Sequence, residues 1–235
     1  MKARKSGRYK SVTAVLSIAA VGLLALGSVG GARAALTYSD TYQSQVETQN
    51  IAVSLTENGT AVEGDEALLQ DLQSEPLHAG EMYEENLSAS NDGEIDAFVR
   101  LTVHKYWEDD SGKRLDLSPE LILMTVNEDD WLMVDDDPDD EIVQLYSINP
   151  VAAGDALTAV EEMGVDSQIA KMVKQTYTKE GKTTTITTTY KYDGFYIGLD
   201  VDVDAVQTHN AEDAILSAWG VNAAGADSGT ITGIN

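Results

Sequence analysis

The segment Ile95-Asp-Ala-Phe-Val-Arg-Leu-Thr-Val-His-Lys-Tyr-Trp107 decides the fold class of this 235-residue chain. Apolar side chains recur at every second position, as in a strand with one face on a core. The expected inner face holds Ala97, Val99, Leu101, Val103 and Lys105, and the outer face holds Phe98, Arg100, Thr102, His104 and Tyr106. We therefore predict a long, half-buried β-strand here.

Strand patterns and turn signals continue on both sides of this segment. Further strands are predicted at 121–126, 142–148, 175–178, 183–192 and 195–206, the third and fourth forming a hairpin. Helices are predicted at 66–73, 155–173 and 210–219. Because turns join most of the strands, we predict a mainly β fold. It would be a jelly-roll-like antiparallel β-sandwich with a few short helices.

The first 34 residues predict a secretory signal peptide. Five basic residues lie among positions 2–10, an apolar run follows at 12–29, and Ala32-Arg-Ala34 has the small-x-small pattern of a cleavage site. Cleavage is expected between Ala34 and Ala35, and an uncleaved membrane anchor is the alternative. We therefore expect a protein that is secreted or held at the cell surface, processed by an export signal peptidase and free of the membrane afterwards.

Beyond this leader, we predict one β-sandwich domain at 35–222. Residues 154–174 would form a helical insertion within it, because their apolar residues are spaced as on a helix face. Residues 223–235 are small and polar, and they predict a flexible tail.

The charge of the chain excludes several kinds of partner. The 201 residues from Ala35 onward carry 9 basic and 40 acidic side chains, a net charge of −31. Such a surface repels phosphate backbones and anionic lipid, so we expect no nucleic-acid binding. The chain has no cysteine, which excludes disulfides, thiol catalysis and cysteine-ligated zinc.

No catalytic motif is recognisable in the sequence. His78, His104 and His209 do not form a helical zinc-protease motif, and we interpret them as structural or solvated side chains. A nucleophile elbow, a phosphate loop and a dinucleotide fingerprint are also missing from the sequence. We therefore expect no enzyme, no catalytic residue, no metal site and no cofactor.

Two acidic rows are the candidates for calcium binding. They are Asp135, Asp137 and Asp139, and Asp200, Asp202 and Asp204. The first row has the 1-3-5 spacing of an EF-hand loop, but not the glycine and glutamate that such a loop requires further on. The second row alternates with apolar residues, as in an edge or face strand whose acidic outer row resists unwanted edge-to-edge pairing. We interpret both rows as solvated surface, with loose calcium binding as the alternative.

Four segments in order carry a resemblance to a known family. They are Leu36-Thr-Tyr-Ser-Asp40 directly after the leader, Ile51-Ala-Val-Ser-Leu-Thr-Glu57, residues 78–103 with the turn Asn91-Asp-Gly93, and residues 205–210 with Ala218-Trp-Gly220. Together they resemble the TasA and camelysin-like proteins of Gram-positive bacteria, which a SipW-type signal peptidase processes. His78 and Ala79 depart from the family's proline-containing turn, and residues 108–189 have no counterpart.

The resemblance implies a jelly roll that polymerises into extracellular fibres of a biofilm matrix. In such fibres, the N-terminal strand of one subunit completes a sheet of the next. The candidate donor strand is 35–50, and its side chains Leu36, Tyr38, Tyr42 and Val46 would fill the neighbour's groove. Partners would be other copies of the chain and other matrix proteins. The alternative is that this strand pairs within its own subunit.

Two other functions are alternatives to the fibre subunit. One is a monomeric secreted binding module at the cell surface, calcium-dependent through the acidic loop around Trp131. The other is a secreted peptidase, the activity attributed to camelysin relatives. It ranks last, because no zinc-ligand motif supports it.

Overall fold

Antiparallel strands dominate the described part of the chain. The computed structural model describes residues 50–63, 67–70, 72, 77–134 and 141–235. The strands are β1 (Val53–Glu57), β2 (Thr60–Ala61), β3 (Met82–Asn91), β4 (Ala97–Asp109), β5 (Gly112–Lys113), β6 (Ile122–Val126), β7 (Trp131–Val134), β8 (Ile142–Ser147), β9 (Ala156–Val165), β10 (Val173–Glu180), β11 (Thr183–Tyr190), β12 (Tyr196–Gln207), β13 (Ala223–Ala224) and β14 (Gly233–Ile234). The α-helix is α1 (Ala211–Trp219), and 3₁₀ turns occupy Pro119–Leu121, Ser167–Lys171 and Ala226–Ser228. The prediction of a mainly β fold is confirmed.

Two larger sheets form the body of the fold. The first has the strand order β2-β1-β3-β9-β6, and the second has the order β12-β4-β8-β7 with β5 added on β4. The chain passes repeatedly from one sheet to the other, as in a jelly roll, and every strand pair is antiparallel. β10 and β11 form a separate two-stranded sheet, as do β13 and β14.

The main core lies between the inner faces of the two larger sheets. Along β4, Val99, Leu101 and Val103 are fully buried, as the alternating pattern predicts. Lys105 continues this inner row and is also buried. Its Nζ donates a hydrogen bond to the carbonyl oxygen of Ile122 in the other sheet, 3.0 Å away. This bond offsets part of the cost of burying a polar group.

The region 154–174 differs from the predicted helical insertion. Its residues form β9, which pairs with β3 on one side and β6 on the other, followed by the turn Ser167–Lys171. Register shifts opposite Leu87 and Val126 interrupt the strict alternation along β9. The spacing of the apolar residues therefore resembles that of a helix. Pairing with two strands that are distant in sequence nevertheless makes this segment a strand. The residues described within 66–73 form no α-helix either.

The prediction of a flexible tail at 223–235 is also wrong. Ala223, Ala226 and Ile231 are buried in a second apolar cluster with Phe98 and Ile215. The backbone N–H of Ile231 donates to the carbonyl of Ile148 at 2.7 Å, and β13 pairs with β14. Apart from the exposed Ala224, the few apolar residues of the tail pack in this cluster, so their low number is no sign of flexibility. The helix predicted at 210–219 is confirmed as α1.

Gly164 marks a close backbone approach between β9 and β3. A Cβ atom at this position would overlap the carbonyl oxygen of Glu81 and contact Met82. We expect Gly164→Ala to lower the free energy of unfolding by about 1–3 kcal/mol, because backbone must move to admit the methyl group. Gly233→Ala is the matched control, since a Cβ there meets open space. Urea denaturation followed by circular dichroism measures both, and equal midpoints would contradict the close approach.

Candidate functional site

The strand β12 presents the longest strand edge that the described residues leave unpaired. It pairs with β4 over twelve residue pairs, from Tyr196 opposite Glu108 to Gln207 opposite Ala97. No strand among the described residues pairs with its other side. We call that side the β12 edge. Alternate backbone N–H and C=O groups of a strand point to such an edge, where another strand can pair with them.

The inner row of β12 is less well covered than the neighbouring row of β4. Val201, Val203 and Ala205 pack on the main core but remain half-exposed. Their partners on β4 are Val103, Leu101 and Val99, and all three are fully buried. The second half of β12 therefore buries its inner row less completely than β4 does.

The strand β1 of the first sheet lies close to β12. β2 covers the outer side of β1 only at Thr56 and Glu57, and Val62 adds a hydrogen bond to the carbonyl of Leu55. Among the described residues, the start of β1 is thus also unpaired on that side. Among the described residues, the two sheets therefore leave neighbouring unpaired edges here.

The outer face of β12 carries the predicted acidic row. Asp204 accepts a hydrogen bond from Arg100 Nη2 at 2.6 Å, and this guanidinium also lies 5.3 Å from the centre of the Trp219 ring. Burial, and then the charge of Asp200, raise the pKa of Tyr106 above its usual value. Its neutral phenol is therefore retained at every physiological pH. The acidic row of Asp200, Asp202 and Asp204 therefore lies on the face of a strand, as predicted, and not in a loop.

Gly198 allows Tyr106 to cover this face. The two residues lie directly opposite each other on β12 and β4. A Cβ atom on Gly198 would overlap the phenol ring. The absent side chain therefore lets the aromatic ring lie across the strand, in a place that sequence alternation alone does not reveal.

The three histidines lie on different elements. His104 is on β4 opposite Asp200, His209 is exposed before α1, and His78 lies in a turn with its Nδ1 3.2 Å from the hydroxyl of Tyr83. Within the described ranges, no group of three or more histidine, aspartate and glutamate side chains is placed to hold a metal ion. Asp135, Asp137 and Asp139 lie outside the described residues, so calcium binding there stays a prediction.

Trp131 belongs to the core. It is only 1% exposed, and its indole Nε1 donates to the carbonyl oxygen of Thr158 across the sandwich at 2.9 Å. The binding-module interpretation rests on the acidic loop around Trp131, and residues 135–140 of that loop lie outside the described residues, so this interpretation stays a prediction.

A loop cluster at one end of β4 was not foreseen in the sequence. A groove of about 400 Å³ runs along residues 113–119. Arg114 there contacts Asp109 and Asp116, both at 2.9 Å, and stacks 4.6 Å from the centre of the Phe195 ring. A backbone hydrogen bond from Ser111, and then Arg114, hold the pKa of Asp109 below its usual value. The charges of Arg114, Asp109 and Asp116 pair with one another, so the cluster fixes the loop.

The residues predicted to carry cleavage and polymerisation cannot be placed. Ala34, Ala35, Leu36, Tyr38, Tyr42 and Val46 all lie outside the described residues. Within the described residues, the structure places an unpaired strand edge at β12, where another strand can pair. In the part of the chain that is described, no helix has the length and apolar character needed to cross a membrane.

Comparisons of the chain with known protein families, with curated proteins and with solved structures found no match.

Proposed function

We propose that the chain is a secreted structural protein whose copies join into extracellular fibres by exchanging a β-strand. The observation that carries the proposal is the β12 edge, a twelve-residue strand with an unpaired side among the described residues and a half-exposed apolar inner row. Proteins usually cover or shorten such edges, because they recruit other strands. Here the edge would be the acceptor of the fibre contact.

The donor would be residues 35–50 of another copy. Leu36, Tyr38, Tyr42 and Val46 share one parity, so a strand built from them would place all four on one face. That face would cover the half-exposed Val201 and Val203, while its backbone pairs with the β12 edge. Each backbone hydrogen bond contributes about 0.5–1.5 kcal/mol net, and the apolar burial adds to it. The contact is head-to-tail and does not close, so repeated copies form a filament.

Export and cleavage would control when the donor becomes available. The leader at 1–34 has the features of a signal peptide, and a signal peptidase acting after Ala34 would free the donor strand. The fibres would then form in the extracellular matrix or at the surface of a Gram-positive cell, alone or with other matrix proteins. Calcium at the acidic loop would act only as a bridging cation.

Fibre growth should depend strongly on the salt concentration. Copies with a net charge of −31 repel each other, so growth at pH 7 and low salt should be slow. Raising the ionic strength to about 0.15 M shortens the screening length to about 8 Å, and should speed growth several-fold. Lowering the pH to about 4.5 should act in the same direction, by protonating part of the glutamates.

Turbidity and negative-stain electron microscopy of the mature protein measure this growth. The measurements at acid pH must stay above the pH range in which the folded protein loses stability. Hydrogen bonds from Ser54 and Ser90 lower the pKa of Asp92 from its usual 3.8. Its contribution to stability is complete above that pH and disappears as the pH falls through the lowered value. A protein that stays monodisperse at high concentration, acid pH and added calcium would refute the fibre proposal and favour the binding module.

A further inference from the structure

The hairpin of β10 and β11 stands apart from both larger sheets. Its two strands pair only with each other, from Val173 opposite Tyr190 to Glu180 opposite Thr183. Every residue of both strands is exposed. At its base, the N–H of Lys191 donates to the carbonyl of Met172 at 2.8 Å. An isolated two-stranded sheet is marginally stable in water, so this hairpin gains stability from any surface that covers it.

The hairpin region is basic, whereas the rest of the mature chain is strongly acidic. Residues 171–191 hold five of the nine basic side chains after the leader, together with a single acid, Glu180. Their net charge is +4, against −35 for the other residues from Ala35 onward. The five lysines are Lys171, Lys174, Lys179, Lys182 and Lys191. Opposite charges of this size on one chain favour contact between copies.

The basic side chains of the sandwich and those of the hairpin have different surroundings. Arg100, Lys113 and Arg114 each form an ion pair within the sandwich, with Asp204, Glu141 and the pair Asp109 and Asp116, respectively. None of the five hairpin-region lysines has an ion-pair partner among the described residues. The hairpin charges are therefore available to an external acidic surface.

One face of the hairpin also carries an apolar stripe. Val173 lies opposite Tyr190 and Tyr177 lies opposite Ile186, and these four side chains share one face because they are spaced by even numbers along their strands. Tyr177 is 66% exposed and Ile186 is 56% exposed. The other face carries a ladder of threonines. Exposed tyrosine and isoleucine flanked by lysine are typical of a protein contact surface.

We propose that the β10–β11 hairpin docks, through this apolar stripe and its lysines, on the acidic surface of a second copy of the chain. Each copy carries both halves of the contact, the basic hairpin and the acidic sandwich. The contact uses neither residues 35–50 nor the β12 edge, so it is a lateral contact that stands independently of strand exchange. In a fibre it would join neighbouring filaments, and in solution it would give salt-sensitive pairs.

The test compares two variants of the mature chain with equal net charge. Lys179→Gln and Lys182→Gln together make the hairpin less basic, while Lys174 on the threonine face is left unchanged. Thr60→Glu and Ala152→Glu change the net charge equally at exposed positions of the sandwich region. Sedimentation velocity at micromolar concentration, before fibres appear, measures self-association. We expect the lysine variant to weaken association about threefold to fivefold, and the control less than about twofold, since two exposed ion pairs are lost only in the first.

A second variant tests the apolar stripe. Tyr177→Thr with Ile186→Thr keeps the β-propensity of the hairpin, and should also weaken association, whereas Thr178→Ser with Thr185→Ser on the opposite face should not. Zero-length coupling of lysines to carboxylates in a mixture of ¹⁵N-labelled and unlabelled chains identifies the contact. We expect peptides of mixed isotope content from the hairpin lysines.

Three outcomes would overturn the proposal. They are equal association of the two charge variants, hairpin cross-links confined to single chains, and a monomeric wild type that instead binds phosphatidylglycerol vesicles through the hairpin. The last outcome would assign the hairpin to a lipid surface. Fibres that form normally in the lysine variant but remain single would leave strand exchange intact, so failures of the two proposals are distinguishable.

Discussion

Deleting residues 35–46 from the mature chain should abolish fibres while leaving a folded protein. Among the described residues, the strands of the main core begin at Val53, and fully buried members such as Leu87 and Leu101 come from β3 and β4. Because none of these residues lies in the deleted segment, we expect the unfolding midpoint to change little. The donor strand would be lost, however, so the β12 edge would have no partner to recruit. Electron microscopy and thermal circular dichroism measure the two consequences separately.

A subtler pair of variants keeps the chain length. Leu36→Ser, Tyr38→Ser, Tyr42→Ser and Val46→Ser remove the apolar face of the candidate donor. Thr37→Ser, Ser39→Thr and Gln43→Asn change the opposite parity and serve as the control. Only the first set should prevent fibres. If the deletion or the first set unfolds the protein instead, the strand pairs within its own subunit, and the exchange proposal is wrong.

Trp131→Ala should cause the largest loss of stability of any single change discussed for this chain. The indole is buried, and it joins the two sheets because Trp131 lies on β7 and its hydrogen-bond acceptor Thr158 lies on β9. Removing it leaves a large cavity and an unpaired carbonyl, so we expect a loss of about 3–5 kcal/mol in the free energy of unfolding.

Trp131→Phe is the matched control for this change. It retains most of the ring and loses the indole donor, so the expected loss is only about 1–2 kcal/mol. Urea denaturation measures both variants. A loss below about 1 kcal/mol for the alanine variant would contradict the burial of the indole between the two sheets.

Local sequence patterns predicted the elements whose own residues favour one kind of secondary structure. The alternation in β4 and in β12 comes from one buried and one solvated face, and it predicts both strands to within two residues. The hairpin has its turn at Gly181 and Lys182, and threonine-rich flanks that favour strands. Gly220 ends α1 with a positive φ, as the C-terminal glycine of a helix commonly does.

The rest of the fold depends on contacts between distant segments, which local patterns do not contain. β9 is a strand because β3 and β6 flank it, and its own composition favours a helix. The tail is ordered because Ile231 finds a cluster formed by residues far away in sequence. The acidic row at 200–204 predicts an edge or face strand, and the order of strands in the sheet then decides that β12 is an edge. The five lysines at 171–191 can be counted in the sequence. The separation of their hairpin from the two larger sheets, on which the proposed role depends, is seen only in the structure.

The pairing of β12 with β4 has a consequence for when the protein can fold. Its partners are between 88 and 110 residues apart in the chain, so this pairing has high contact order and should form late. During synthesis, β12 is made after the other strands of its sheet. In the proposed fibre, the acceptor edge would therefore not exist until β12 has docked, even though residues 35–50 are already made. We expect this order to delay assembly until each copy has completed its second sheet.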